Sequence, residues 1–537
     1  MKQKIMILGA GLMQSPAIKS AQNLGYEVVV VDGNPNAPCI ELADSFEHID
    51  LKDKDSLVKL ADKINSSSNM LAAVFTAGTD FSANVAFVSE HCGLFGHSYK
   101  SCINASNKVR MRECFKKFNV PSPSFEEIDS EKLKDLLANK NKIKYPKVIK
   151  PVDNMGGRGC RLVRNSEELE NAVLLAIQNS RTSKAIFEDY MEGPEFSIDS
   201  VVYNGTLTIT GFADRHIYYP PYFIETGHTM PTAIDEKIKN ELIATFALGI
   251  KSLGLTCGVA KADIKYTKNG PMIGEIAARL SGGYMSGWTY PYSSDCNLTE
   301  QALLISLGKE PDFLIKNRVP IEWTPHDSVQ GFEKPFELYE LKSKKVSAER
   351  AWISIPGKIK AIEGYDSVKK SNIVKDILPR TKIGDNVNFP RNNVEKCGNV
   401  ITVSNDYAKA VVGAEKAISS ITVRLEPFNK VTDDFLNGKE ESDEKGFPPS
   451  AFDIQLTSED FIDIPSNQPV EKFMSCSLEK KCDLLKDWNH NTLRTVLQRF
   501  DLICPNHSKL DGKKFWSSVI RGSIQGALYV ADCSMEK

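Results

Sequence analysis

What this chain lacks narrows its class first. No apolar run approaches the roughly 20 residues of a membrane-spanning helix, so no membrane partner is predicted. Neither sign of charge is in excess. The 67 Lys and Arg against 69 Asp and Glu leave a net charge of −2, which gives no footprint for nucleic acid or an anionic surface. The twelve cysteines contain no Cys-x-x-Cys pair and no repeated spacing, which predicts reduced, buried thiols. That reading includes Cys476, Cys482, Cys504 and Cys533, which with His490 and His507 lack the spacing of a zinc site. Met1-Lys2-Gln3-Lys4 leads directly into Ile5-Met6-Ile7-Leu8-Gly9, an apolar run too short for the core of a signal peptide. It reads as a first strand and predicts a cytoplasmic protein. No internal repeat is visible. Hydrophobic content of 41% and charged content of 25% are ordinary for a soluble globular chain, and 537 residues predict three or four domains.

Strand-like and helical runs alternate over residues 1–120: Ile5–Leu8, Val28–Val31 and Ala73–Phe75 against Ser15–Leu24 and Asp55–Ile64. That alternation predicts an α/β domain with a doubly wound parallel sheet. Asn107–Phe118 reads as a helix ended by Asn119-Val120-Pro121-Ser122-Pro123. A second α/β unit over 121–205 has Val148–Lys150, Ala185–Phe187 and Phe196–Val202 as strands and Ser166–Asn179 as a helix. A third over 206–330 has a helix near Lys237–Leu253 and strands Val259–Tyr266 and Pro271–Ile276. Residues 331–428 turn β-rich. A polar segment, 429–450, reads as a linker to a small, mostly helical tail at 451–537.

Several motifs carry chemistry. Gly9-x-Gly11, with Asp32 ending the next strand, is a partial dinucleotide fingerprint. Gln14 stands where the third glycine belongs, which favours a plain strand-to-helix turn over a nicotinamide site. Lys150-Pro151 and the loop Asn154-Met155-Gly156-Gly157-Arg158-Gly159 pair a lysine with amides able to fold over phosphate oxygens; a β-hairpin turn is the plain alternative. Glu188 to Met191 follow a strand, where backbone groups can read an adenine edge, and Glu195 can accept from ribose hydroxyls; a solvated acidic turn is the alternative. Asp263 and Glu275 lie on two strands joined by Lys268-Asn269-Gly270-Pro271. Near-facing carboxylates on a hairpin repel unless a cation joins them, and oxygen ligands suit Mg²⁺. Arg279, four residues on, precedes Gly282-Gly283. Together these residues point to ATP and phosphoryl transfer to a small acceptor.

In this order the segments resemble the ATP-grasp superfamily over about residues 1–427. The resemblance implies an N-terminal α/β domain, a mobile α+β lid (121–205), a mixed-sheet core with the metal site (206–330) and a β-rich C-terminal domain. It also implies the roles. Lys108 and Lys150 contact ATP phosphates, and Gly156, Gly157, Arg158 and Gly159 form the lid loop. Glu188 and Met191 flank adenine, Glu195 holds ribose, and Asp263 and Glu275 bind Mg²⁺, with Mn²⁺ as a substitute. Arg279 stabilises the transferred phosphoryl group or the acceptor carboxylate. Within the superfamily the chain looks most like carboxylate–amine ligases that join amino acids. Pro221–Pro231, with Glu225 and His228, resembles their substrate-side loop, and His228 reads equally as a base or as a positioning group. Ala277 stands where many members carry Asn. The expected activity is amide formation through an acyl phosphate, on a small carboxylate and an amine, with a homodimer as a candidate assembly. The competing readings are a bicarbonate-activating carboxylase, a nicotinamide dehydrogenase, and a non-catalytic ATP sensor that uses its tail.

Overall fold

The computed structural model describes residues 2–66, 70–439 and 446–536. The chain divides into two compact units: residues 1–217 with 228–347, and residues 218–227 with 348–537.

The first unit opens on a four-stranded parallel sheet. Its order is Ser45–His48, Glu27–Asp32, Lys4–Leu8, Leu71–Phe75. Period-two alternation gives this sheet two buried faces. Ile5, Ile7, Val28, Val30 and Phe75 pack with Ala17, Ile18 and Ala21 of the helix Ser15–Asn23. Met6, Leu8, Val29 and Val31 pack with Leu57, Leu60 and Ile64 of the helix Lys54–Asn65. This is the expected doubly wound domain.

A second, antiparallel sheet has the order Phe125–Ile128, Ala185–Asp189, Lys147–Pro151, Arg161–Val163. Helices Ser130–Ala138 and Leu169–Gln178 bury Leu133, Leu169, Ala172 and Val173 against it. The second helix starts three residues later than its sequence suggests. The Glu168 carboxylate accepts from Arg164 N and Asn165 Nδ2, which holds the preceding residues in a turn.

The third sheet of this unit runs Gly270–Ala277, Gly258–Thr267, Glu195–Tyr203, Thr206–Tyr218, with Glu337–Glu340 parallel to the last. The strand over 196–202, expected within the lid segment, pairs here on both edges, so the lid sheet ends at Asp189. The helix Glu236–Leu253 covers one face. Asp235 caps its start by accepting from Lys237 N, and Gly254, at φ 78°, closes its end in the left-handed region that glycine tolerates. Its Leu242, Ile243, Phe246 and Ile250 pack with Ile198, Val202, Ile264, Ile273 and Ile276. Residues 331–347, expected to open the β-rich domain, cluster with this first unit.

In the second unit the strands Val346–Trp352, Gly398–Ser404 and Val374–Pro379 are neighbours in that order. Asn386–Val387, Gly357–Glu363 and Thr422–Leu425 form a separate sheet. The expected linker is partly the helix Lys430–Leu436, capped by Asn429; its residues 440–445 lie outside the described residues. The tail is not a separate cap. Phe500, Phe515, Trp516 and Leu528 share one core with Trp352, Phe389, Ile418 and Leu425. Gln525 fixes the join: Nε2 donates to Ser354 Oγ (2.7 Å) and Val423 O (3.0 Å), and Oε1 accepts from Ile355 N (3.1 Å). The tail's long helices are Leu493–Ile503 and Gly512–Met535. Among the described residues, no helix is long and apolar enough to cross a membrane.

Candidate functional site

The Gly9-x-Gly11 turn is filled by the chain itself. Gln14 is fully buried. Its Nε2 donates to Ala77 O (2.5 Å) and its Oε1 accepts from Ala77 N (2.9 Å). A Cβ at Gly9 would lie 3.2 Å from Gln14 Nε2, so the amide side chain lies against the glycine that a pyrophosphate would need. Asp32 accepts from Ala10 N and Asn34 N, both at 2.8 Å, and so holds the turn closed.

The second glycine loop differs. Gly156, Gly157 and Gly159 have φ of 71°, 75° and 69°, a run of left-handed residues that favours glycine at each position. A Cβ at Gly159 would lie 2.8 Å from Asn179 Cβ. Among the described residues, the amides of Gly156, Gly157, Arg158 and Gly159 donate no hydrogen bond. Arg158 Nε donates to Met155 O (3.1 Å).

Two lysines border this loop. Lys108 opens the helix Lys108–Lys117, which Asn107 caps by accepting from Arg110 N. Its Nζ donates to Asn154 O (2.9 Å) and lies 3.6 Å from Glu275 Oε2. Lys150 Nζ lies 2.5 Å from Glu188 Oε2, while Arg112 Nε donates to Glu188 Oε1 (2.7 Å) and Arg112 Nη2 to Gly274 O (2.6 Å). Burial works to raise the Glu188 carboxyl, but Arg112 and Lys150 outweigh it and hold it below its ordinary value. Burial likewise opposes the Lys150 ammonium, and Glu188 raises it nonetheless. The Glu188 carboxylate is thus occupied by two cations, and its backbone remains the part able to meet an adenine edge. Met191 O accepts from Lys265 Nζ (3.2 Å), and Met191 Cε would lie 3.5 Å from a Cβ at Gly274.

The rest of the charge lies along one face of the third sheet. Glu195 pairs in register with Arg215 on one side and Lys265 on the other, and Asp263 pairs with Glu275. Alternation places Lys261, Asp263 and Lys265 on that same face, with Ala262 and Ile264 in the core behind. Lys261 Nζ lies 2.5 Å from Asp263 Oδ2, and Arg215 Nη1 lies 2.5 Å from Glu195 Oε1 and 2.9 Å from Asp263 Oδ1. Lys265 Nζ lies 3.3 Å from Glu195 Oε2. Burial works to raise the Glu275 carboxyl, but Lys108, Lys261, Lys150 and Arg279 together hold it down at about 2. Asp263 Oδ1 is buried and makes no hydrogen bond, the Arg215 contact being an unaligned ion pair. An Asp263 oxygen that makes no hydrogen bond, beside the Glu275 carboxyl held down at about 2, fits Mg²⁺, which takes few protein ligands and completes its shell with water and phosphate oxygens.

Arg279 is buried, and its Nη1 donates to Leu280 O (3.0 Å). The segment after it is tied down by Asp199, which accepts from Ser281 N (3.2 Å) and from the Ser281 hydroxyl. Burial, only partly offset by those bonds, pushes the Asp199 carboxyl up to about 6. His228 is fully buried on the strand Ile224–Met230 and belongs to the first unit. Glu225, on the same strand, clusters with the second unit. There its N donates to Asn393 Oδ1 (2.8 Å) and its O accepts from Lys396 Nζ (2.8 Å).

The charged network also contains Arg112, Arg215, Lys261, Lys265 and Asp199, which the sequence reading passed over. A usable signal was present for some of them. Lys261-x-Asp263-x-Lys265 alternates charge with apolar residues, and Lys108 and Arg112 share a helix face at i, i+4.

Residues 143–287 match the model of the ATP-grasp domain, residues 1–81 that of the ribonucleotide synthetase preATP-grasp domain, and residues 351–426 that of L-amino acid ligase C-terminal domain 2. Among solved structures, the L-amino acid ligase from Bacillus licheniformis is similar at 18% identity and a TM-score of 0.63, covering 79% of this chain and 99% of that one. The phosphoribosylglycinamide synthetase from Anaerococcus prevotii is similar at 20% identity and a TM-score of 0.58, over 79% and 100%. A biotin carboxylase from Campylobacter jejuni is similar at 18% identity and a TM-score of 0.56, over 78% and 92%. At these identities the likeness shows a shared fold. The chain carries an ATP-grasp domain in an ATP-grasp architecture.

Proposed function

We propose that this ATP-grasp chain is an ATP-dependent carboxylate–amine ligase acting on amino-acid substrates. The observation that carries the reading is the charged sheet face with Asp263 and Glu275 in register, next to Lys108 and Lys150 at a left-handed glycine loop. The match of residues 351–426 to an L-amino acid ligase domain supports the amino-acid branch.

A carboxylate oxygen of the first substrate attacks the γ-phosphorus of ATP. The new O–P bond gives an acyl phosphate, and ADP leaves. The amine nitrogen of the second substrate then attacks the acyl carbon. The C–N bond forms, the C–O bond to phosphate breaks, and the amine gives up a proton. Lys108 and Lys150 neutralise the phosphates, and amides from Gly156 to Gly159 fold over them. The backbone at Glu188 and the Met191 side chain flank the adenine, and Glu195 accepts from the ribose. Asp263 and Glu275 would hold Mg²⁺, or Mn²⁺ in its stead, which would supply charge stabilisation at the phosphoryl group. Arg279 offers a bidentate fork to the phosphoryl group or the acceptor carboxylate. His228 either takes the amine proton or holds a carboxylate. The lid residues 121–189 exclude water from the acyl phosphate.

The test is a screen of ADP and phosphate release over amino acids, singly and in pairs, with hydroxylamine to trap the acyl phosphate. Amine-dependent amide formation is expected. ATP consumption that requires bicarbonate and no amine, or ATP binding without turnover on any acceptor, would overturn the reading.

A further inference from the structure

The register of the third sheet places one cation between two of the proposed ligand-binding acids. Arg215 Nη1 lies 2.5 Å from Glu195 Oε1, the acid proposed for ribose, and 2.9 Å from Asp263 Oδ1, the acid proposed for the metal. The three come from three adjacent strands, Thr206–Tyr218, Glu195–Tyr203 and Gly258–Thr267. Arg215 is directly opposite Glu195, so the sheet itself fixes this contact. The Asp263 contact is an ion pair without hydrogen-bond alignment, and so the weaker of the two.

We infer that Arg215 is an internal counter-ion that makes metal binding and nucleotide binding depend on each other. The inference rests on the reading of Asp263 and Glu275 as the metal acids. In the free protein Arg215 and Lys261 both neutralise Asp263, so a divalent cation arriving alone must compete with two resident positive charges. Both side chains are mostly out of solvent, where such competition is little screened. When a ribose takes up hydrogen bonds at Glu195, Arg215 is left to Asp263, where it opposes the metal. A metal that arrives with ATP brings phosphate oxygens as further ligands, and these offset the repulsion. The linkage is reciprocal: through Arg215 an occupied ribose site opposes the metal, and a metal held at Asp263 turns Arg215 back to Glu195 and opposes the ribose contact.

The test uses the full chain and Mn²⁺ alone, titrated by electron paramagnetic resonance or calorimetry, without nucleotide. Arg215→Gln removes the counter-ion and is expected to bind Mn²⁺ about tenfold more tightly than the unaltered chain, within the range of ordinary coupling effects. The addition of an unhydrolysable ATP analogue is expected to improve Mn²⁺ affinity more in Arg215→Gln than in the unaltered chain. Glu195→Gln works in the opposite sense: it leaves Arg215 to Asp263 and is expected to weaken Mn²⁺ binding. This second variant carries the test if Arg215→Gln does not fold. Equal or weaker Mn²⁺ binding by Arg215→Gln, or equal or tighter binding by Glu195→Gln, overturns the inference. Failure of the underlying metal assignment shows separately. In that case Glu275→Gln leaves Mn²⁺ binding in the presence of the ATP analogue unchanged.

Discussion

Two glycine-rich turns of the first unit each follow a strand, and they have opposite fates. The turn after Lys4–Leu8 is closed from within: Gln14 bonds Ala77 on both its polar atoms, and Asp32 takes the amides of Ala10 and Asn34. The turn after Lys147–Pro151 keeps three left-handed glycines, and Lys108 and Lys150 stand beside it. Glycine alone therefore says little. A phosphate site needs backbone amides not already answered by the chain, with positive charge near them. In the first turn an uncharged amide side chain holds the glycines, which is why the partial dinucleotide fingerprint there reads as architecture.

The comparison can be broken most sharply at the two acids that face these turns. Glu275→Gln is expected to lower turnover by about a hundredfold or more while the circular dichroism spectrum stays unchanged, because the metal and phosphates lose their fixed charge partner. Asp32→Asn is expected to keep turnover near its original level and to lower stability by about 1 kcal/mol through a weakened turn. Retained turnover in the first variant, or lost turnover in the second, would reverse the assignment of the two turns. In the same turn, Gln14→Ala is expected to cost more than Asp32→Asn, about 2–3 kcal/mol in denaturant unfolding, since Ala77 N and O lose their buried partner. The KM for ATP should not move. Gly157→Val forces a β-branched residue into φ 75° and is expected to raise the KM for ATP about tenfold, at a cost of about 1–3 kcal/mol in unfolding free energy.

A further contrast lies in pH dependence, between two acids of the sheet face. Glu275, held at about 2, stays charged through the working range; the stability it contributes is present above the ordinary carboxylate range and lost only as pH falls toward 2. Asp199, pushed up to about 6, works the other way. Between about pH 4 and 6 the folded chain holds a proton that the unfolded chain releases, so Asp199 lowers stability as pH rises through that window and is level above it. Asp199→Asn should therefore raise the unfolding free energy at pH 7 relative to that at pH 4. An unchanged difference would show that Asp199 titrates normally.

Much of the fold was legible because it rests on local periodicity. Ile5–Leu8, Val28–Val31 and Ala73–Phe75 lie within strands, and the helices near Ser15, Asp55 and Lys237 stand almost where their spacing puts them. The short strands Phe125–Ile128 and Arg161–Val163 carry few apolar residues, and only their neighbours make them strands. The tail read as a small, mostly helical segment beyond a linker because its composition changes after a polar stretch. Its Phe500, Phe515 and Trp516 are nonetheless part of one core with Trp352 and Phe389, which no local pattern signals.

The doubly wound first domain, the glycine loop after Lys150 and the near-facing of Asp263 and Glu275 across a short hairpin were readable from local pattern, since each rests on residues within one element or in neighbouring ones. The strand Glu195–Tyr203 in the core sheet, the hold of Arg112 and Lys150 on Glu188, and the place of Arg215 between Glu195 and Asp263 came only with the assembled fold. Distance along the chain explains the divide. Arg112 and Glu188 are 76 residues apart, and charges so separated are matched only when sheet register and helix packing bring their strands and helices together.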